Sequence, residues 1–175
     1  IQYSYLKNFL NTNLSQKKIS DAFTQVGFEC EIEGDLIEFD ITPNRGDALS
    51  LRGLEREFNA YQLKRPSQKL ETSSLKLIQD KKIINRIDGS GCGNYHLMII
   101  EVLQKIMNLD AKIQSFIESA GIPLINPLVD LGNYVMLEIG APMHVFDLAK
   151  LALPINVCFP KEDISTVKVI GGDVK

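Results

Sequence analysis

The sequence predicts an α+β fold, and three observations carry that prediction. Apolar residues recur at spacings of three and four in four separate stretches, the signature of amphipathic helices. Other short segments alternate apolar with charged residues, or run in β-branched residues, as strands do. The first 63 residues place these in the order helix, hairpin, helix, which makes one small α+β unit.

Ser15 is the expected N-cap of the first helix. Ile19, Ala22, Phe23 and Val26 then share one face, and Gly27 stands where the helix would end. From Phe28 to Glu33, Phe28, Cys30 and Ile32 alternate with Glu29, Glu31 and Glu33, which predicts a half-buried strand with an acidic outer face. Gly34-Asp35 is the turn, and Leu36 to Ile41 is the returning strand. Thr42-Pro43-Asn44-Arg45-Gly46-Asp47 is a punctuated loop, with Asp47 placed to cap the next helix. That helix carries Leu51, Leu54, Phe58 and Tyr61 as its apolar stripe.

Residues 64–74 are polar, include Pro66, and are expected to form a linker. Beyond them, Leu75, Leu77-Ile78 and Ile83-Ile84 predict short strands, and Tyr95 to Leu103 a buried one. Asn108 or Asp110 is the expected cap of a helix with Ile113, Phe116, Ile117 and Ala120 turned inward, ended by Gly121. Leu128 to Ile139 is a further helix, with Leu128, Leu131, Val135 and Ile139 on one side and Gly140 and Pro142 as its stop. Ile155–Phe159 and Thr166–Ile170 are expected strands, and Gly171-Gly172-Asp173 a turn.

Composition narrows the function classes. The chain has 175 residues, 45% apolar and 23% charged, as in ordinary soluble globular proteins. No apolar run approaches the roughly 20 residues that span a bilayer. Ile1 to Asn11 has no basic start and no apolar core with a small-residue cleavage site, so no signal peptide and no membrane association are expected. A net charge of -3 does not predict a whole-surface grip on nucleic acid. Cys30, Cys92 and Cys158 have no metal-ligand spacing and fit buried thiols in a reducing cytoplasm. Asp40, Asp47 and Asp130 form no metal cluster by spacing, and no glycine-rich phosphate loop occurs. His96 and Cys92 lack a third partner and fit core packing; Lys81-Lys82 fits a solvated turn. Arg45, after Pro-Asn in a loop, fits the clamping of carbonyls or a carboxylate better than contact with RNA phosphate.

Asn133 and His144 are the polar residues of interest. Asn133 sits on a mostly apolar helix, and His144 lies past that helix's stop, where a loop can turn it back. A carboxamide and an imidazole can together hold a phenolic hydroxyl or orient a water for ester hydrolysis. Both residues also fit a structural reading, His144 satisfied within its loop and Asn133 as a helix-to-loop anchor.

Two long stretches carry a resemblance. One runs from Glu38 through Thr42-Pro43-Asn44-Arg45-Gly46-Asp47 to Ser50 and on to Gly53 and Arg56-Glu57; the other is PLVDLGNYVMLEIGAPMHVFD, Pro127 to Asp147. Both resemble the bacterial-type phenylalanine–tRNA ligase beta subunit. Tyr3-Ser4-Tyr5-Leu6-Lys7 and Gly27-Phe28-Glu29-Cys30-Glu31 resemble further segments of that family, in the family's order. The resemblance implies that residues 1–63 are the family's N-terminal module, 64–74 a linker, and 75–175 the first part of its editing (B3/B4-type) domain, which hydrolyses mischarged tyrosyl-tRNA. It places Gly132, Asn133 and His144 at editing-pocket positions. It further implies ATP-dependent charging of tRNA(Phe) by an alpha2beta2 assembly with an alpha subunit in the cytoplasm. ATP and magnesium would be handled by other parts of that assembly, so no cofactor, metal or aminoacylation centre is expected in this chain.

The sequence departs from the family in four places. The oligonucleotide-binding barrel usually set between the first two strands is absent, since Gly34 leads straight to Asp35-Leu36-Ile37. Cys92-Gly93-Asn94-Tyr95 stands where the family usually has Cys-Pro-Arg-Tyr. Gly132 replaces the usual Thr beside the Asn, and Lys175 falls about halfway through the editing domain. A pocket that selects a hydroxyl loses discrimination when a polar group is removed, so reduced or lost editing is expected. Two other readings stay open: a stand-alone editing-like aminoacyl-tRNA hydrolase or binding protein, and a purely structural module.

Overall fold

A computed structural model describes residues 1–63, 84–87, 95–102, 108–157, 167–169 and 172–174. The fold mixes helices with two-stranded sheets. The chain divides into two compact units that interleave along the sequence: 1–72 with 104–145, and 73–103 with 146–175.

In the first unit, α1 (Tyr3–Phe9) buries Leu6 and is followed by buried Leu10. Helix α2 (Gln16–Gln25) buries Ile19, Ala22 and Phe23. Ser15 has N-cap backbone geometry, but its side chain makes no capping bond. Gly27, at φ +94°, ends the helix in a backbone region that costs glycine nothing. Strands β1 (Glu29–Glu33) and β2 (Leu36–Asp40) pair antiparallel, Cys30 opposite Phe39 and Ile32 opposite Ile37. Phe28, just before β1, and Ile37 are buried, whereas Ile32 is 45% exposed near the hairpin tip. On β2 the outer edge is partly taken, because Ile37 N–H and C=O bond Ile1 at 2.9 and 2.8 Å.

The loop Pro43–Ala48 is a 3-10 turn with a kink at Arg45. Asp47 does not cap the next helix. Ser50 does, its Oγ accepting from Gly53 N–H at 3.1 Å, because the Asp47 carboxylate is engaged by Arg45 at 3.1 Å and by Arg56. Arg45 also meets Glu57 at 2.9 Å and stacks 5.0 Å over the Phe28 ring, so it clamps carboxylates as its loop position predicts. The bond from Arg45 is the main reason the Asp47 carboxyl is held below the usual carboxylate range.

Helix α3 (Leu51–Phe58) buries Leu51, Leu54 and Phe58. Tyr61 does not continue that stripe and is 44% exposed. The helix widens to five-residue spacing over Asn59–Leu63, so the three-and-four rule fails there. Phe23 is the hub of the core, with Phe39 edge-on at 4.9 Å and Phe58 at 5.7 Å.

Helix α4 (Ala111–Ser119) is capped by Asp110, which accepts from Lys112 N–H at 2.8 Å, and buries Phe116 and Ile117; Ala120 is exposed. Gly121 ends it at φ +76°. Helix α5 (Pro127–Ile139) is capped by Asn126, whose Oδ1 accepts from Leu128 and Val129 N–H, with Pro127 in the first turn. The stripe expected on α5 is corrected by the packing. Leu131 and Ile139 are exposed, while Asp130 is buried and Tyr134 and Leu137 pack on the core.

In the second unit, β3 (Ile84–Ile87) pairs parallel with β4 (Ile155–Val157). Strand β5 (Val167–Val169) pairs antiparallel with β6 (Gly172–Val174), so Gly172 and Asp173 lie in a strand rather than in the expected turn. Residues 95–102 form no strand, and Met98, Ile99, Ile100 and Val102 are exposed. A β-branched run becomes a strand only with a partner, and among the described residues none pairs with it. The expected linker 64–74, the strands at 75–83, Lys81-Lys82, Cys92, Gly93, Asn94 and Cys158 lie outside the described residues.

Candidate functional site

Two polar anchors set the position of α5. Tyr5 donates its phenol hydrogen to the Tyr134 hydroxyl at 3.3 Å, while the Tyr5 ring stacks on Phe116 at 4.3 Å. Arg52, on α3, bonds Glu138 at 3.2 Å. At 100° per residue these turn one face of α5 toward α1 and α3 and leave Gly132 about 200° round the axis from Tyr134. Gly132 is nevertheless buried. The side chain beside it is Val145, whose Cγ2 would lie 4.0 Å from a β-carbon built at Gly132.

That contact requires the chain to turn back after α5. Gly140 makes the turn, as the left-handed C-cap at φ +80° with its N–H on Met136 C=O. Asn133 is half-buried on α5, and His144 is exposed in the loop next to Val145. The backbone thus brings the His144 segment against the Gly132 position. A water or a substrate hydroxyl between a carboxamide and an imidazole has both a donor and an acceptor available to it.

The anchors have their own electrostatics. Burial is the main cause that raises the Tyr134 phenol. A phenol kept neutral by the fold supports stability fully below its ordinary value of 10.0 and loses that support as pH rises above it. In Tyr134→Phe the fall in stability above pH 10 is expected to be shallower by up to about one proton per molecule, read from urea midpoints against pH. An unchanged slope would place the alkaline loss elsewhere. Cys30, half-buried, is pushed up to about 11 by burial, so it is not primed as a nucleophile.

No group of three or more His, Cys, Asp or Glu able to hold a metal occurs among the described residues, and no helix there is long and apolar enough to cross a membrane. The sequence reading missed both anchors. They join residues 129 and 86 positions apart, beyond the reach of periodicity. The one available signal was a tyrosine inside an apolar helix, whose hydroxyl needs a partner when buried.

The first unit also holds a cavity of about 520 Å³, open to solvent, between β2, the Ala48–Leu51 turn and the end of α4. Neither Gly132, Asn133 nor His144 lines it.

Comparison with known proteins adds the family. Residues 91–174 match the B3/4 domain. The chain is 33% identical over 144 residues to the phenylalanine–tRNA ligase beta subunit of Haemophilus influenzae, covering 82% of this chain and 18% of that protein. It is 36% identical over 127 residues to the Colwellia psychrerythraea subunit (73% of this chain, 16% of that one) and 38% over 123 residues to that of Neisseria gonorrhoeae (70% and 16%). At 144 residues the match reaches well outside the B3/4 segment. The chain is thus a relative of the phenylalanine–tRNA ligase beta subunit, over a stretch that spans about 18% of that subunit's length.

Proposed function

We propose that the chain acts as part of a phenylalanine–tRNA ligase beta subunit, in the ATP-driven attachment of phenylalanine to tRNA(Phe). The observation that carries this is the identity of 33% over 82% of the chain, a match that overlaps the B3/4 segment and extends beyond it. In this reading residues 1–63 are the subunit's N-terminal module without its barrel insertion, and 75–175 are the front part of the editing domain. The alpha subunit and tRNA(Phe) are the partners, in an alpha2beta2 assembly in the cytoplasm. ATP and magnesium are bound outside this segment. A match reaching beyond the B3/4 residues favours a ligase segment over a stand-alone hydrolase.

Gly132, Asn133 and His144 form the editing pocket in this proposal, with reduced activity. Asn133 holds the phenol of a mischarged tyrosine, and His144 orients the hydrolytic water. Gly132 offers no hydroxyl, and one polar contact is worth about 1.4 kcal/mol, or tenfold. In the full-length beta subunit assembled with its alpha subunit, Gly132→Thr is expected to raise tyrosyl-tRNA hydrolysis about tenfold. Space is available for the β-carbon, whose nearest neighbour is Val145 Cγ2 at 4.0 Å. Unchanged hydrolysis would favour the second reading, a structural module that no longer edits. Failure of the assembly to charge tRNA(Phe) would sink the ligase assignment itself.

A further inference from the structure

The cavity in the first unit has one strand edge as a wall. Backbone groups of residues two apart on a strand point to the same side. Ile37 directs its N–H and C=O outward to Ile1, so Phe39 directs its own the same way. The pairing segment at residues 1–3 reaches only Asp35 to Ile37. Among the described residues no backbone group outside the β1–β2 ladder bonds Phe39. The open edge therefore begins where the added segment stops, and Phe39 and Ile41 line the cavity there.

The remaining walls decide the occupant. The floor is apolar, with Leu51, Leu54 and Phe116, and Leu49 on the rim is 63% exposed. Among the described residues Glu33 and Glu38 line the cavity, no Lys or Arg does, and the single cation at its wall is the Ile1 ammonium beside Glu38, which leaves the lining net negative. The opposite wall is the C-terminal end of α4, Ser119 to Gly121, where the helix dipole is negative. Negative walls over an apolar floor favour a cation-bearing apolar segment and disfavour RNA, a polyanion. A second copy pairing edge to edge would set Glu33 and Glu38 near their own counterparts, and like charges that close are destabilising.

We propose that this groove binds an extended basic–apolar peptide segment of a partner protein by strand addition to the β2 edge at Phe39. Its backbone would bond Phe39, its apolar side chains would fill the floor, and its cations would meet Glu33 and Glu38. The proposal is independent of the editing reading.

The test uses the whole chain and a short fluorescent peptide of alternating valine and lysine, with a valine–glutamate peptide of equal length as control, followed by anisotropy and by the amide NMR shifts of β2. Saturable binding of the lysine peptide is expected, at least tenfold tighter than the glutamate peptide, with the Phe39 amide among the most shifted. Leu49→Lys is expected to weaken it at least tenfold. Glu38→Gln should weaken it severalfold without touching the core, since no packing rests on the charge. No saturable binding, equal affinity for the two peptides, or indifference to both substitutions would overturn the proposal. So would concentration-dependent dimerisation that Leu49→Lys abolishes while the peptide fails to compete.

Discussion

Gly53→Ala is expected to destabilise the first unit by about 3 kcal/mol or more, the high end for inserting a methyl group into a packed site. Gly53 is buried in α3, and a β-carbon there would fall on the Asp47 carbonyl oxygen and 2.8 Å from the Ala48 α-carbon. Both are backbone atoms of the preceding turn, so no rotamer change relieves the clash. The helix-propensity gain of about 1 kcal/mol from glycine to alanine does not offset it. The effect should appear as a lower urea midpoint, and as faster hydrogen exchange at the Leu54 and Phe58 amides. Gly46→Ala is the control: nothing lies within 4 Å of its β-carbon position, and a change within about 0.5 kcal/mol is expected. Equal effects of the two substitutions would show that α3 does not press on the turn as described.

Arg52→Met is expected to cost about 3 kcal/mol, with much of it recovered by adding Glu55→Gln. Arg52 bonds Glu55 at 3.0 Å and Glu138 at 3.2 Å, and its guanidinium stacks 4.9 Å over the Phe9 ring. Glu55 is only 5% exposed. Without the arginine its carboxylate keeps only the Asn59 carboxamide at 3.3 Å. Removing one partner of a buried pair costs about 3–5 kcal/mol, and the partial exposure of Arg52 sets the lower end here. The urea stabilities of the two single variants and the double variant separate a stranded charge from lost packing on Phe9. If the double variant is as unstable as the sum of the singles, the stranded charge is not the cause.

Arg52 also joins α3 to the helix that carries Gly132 and Asn133. Its loss should therefore loosen α5 as well as the core. That links the stability of the first unit to the geometry of the candidate site.

The candidate site was legible in part. The helix expected at 128–139, its stop at Gly140 and the loop bearing His144 follow from local signals, and the structure has the helix at 127–139 with that stop and loop after it. Nothing local foretold that Val145 is the side chain that meets Gly132. The anchors of α5 were invisible for the same reason, as they depend on residues from α1 and α3.

Taken alone, the sequence determined the parts whose causes lie within a few residues. These are the Gly27, Gly121 and Gly140 helix ends, a cap at Asn108 or Asp110 that the structure puts at Asp110, the Gly34-Asp35 hairpin and the mixed α+β character. Its long ordered motifs also pointed to the ligase relatives. Tertiary structure alone decided which face of α5 is inside. PLVDLGNYVMLEI is apolar round most of its circumference, so periodicity could not choose between Leu131 and Tyr134. Packing chose Tyr134, because its ring meets Phe116 while its hydroxyl meets Tyr5. The same holds for residues 95–102, whose composition suits a strand but whose state depends on a partner, and for Asp47, drawn from its capping role by two arginines. Backbone preference acts over one turn, whereas burial and ion pairing are settled only once distant segments meet.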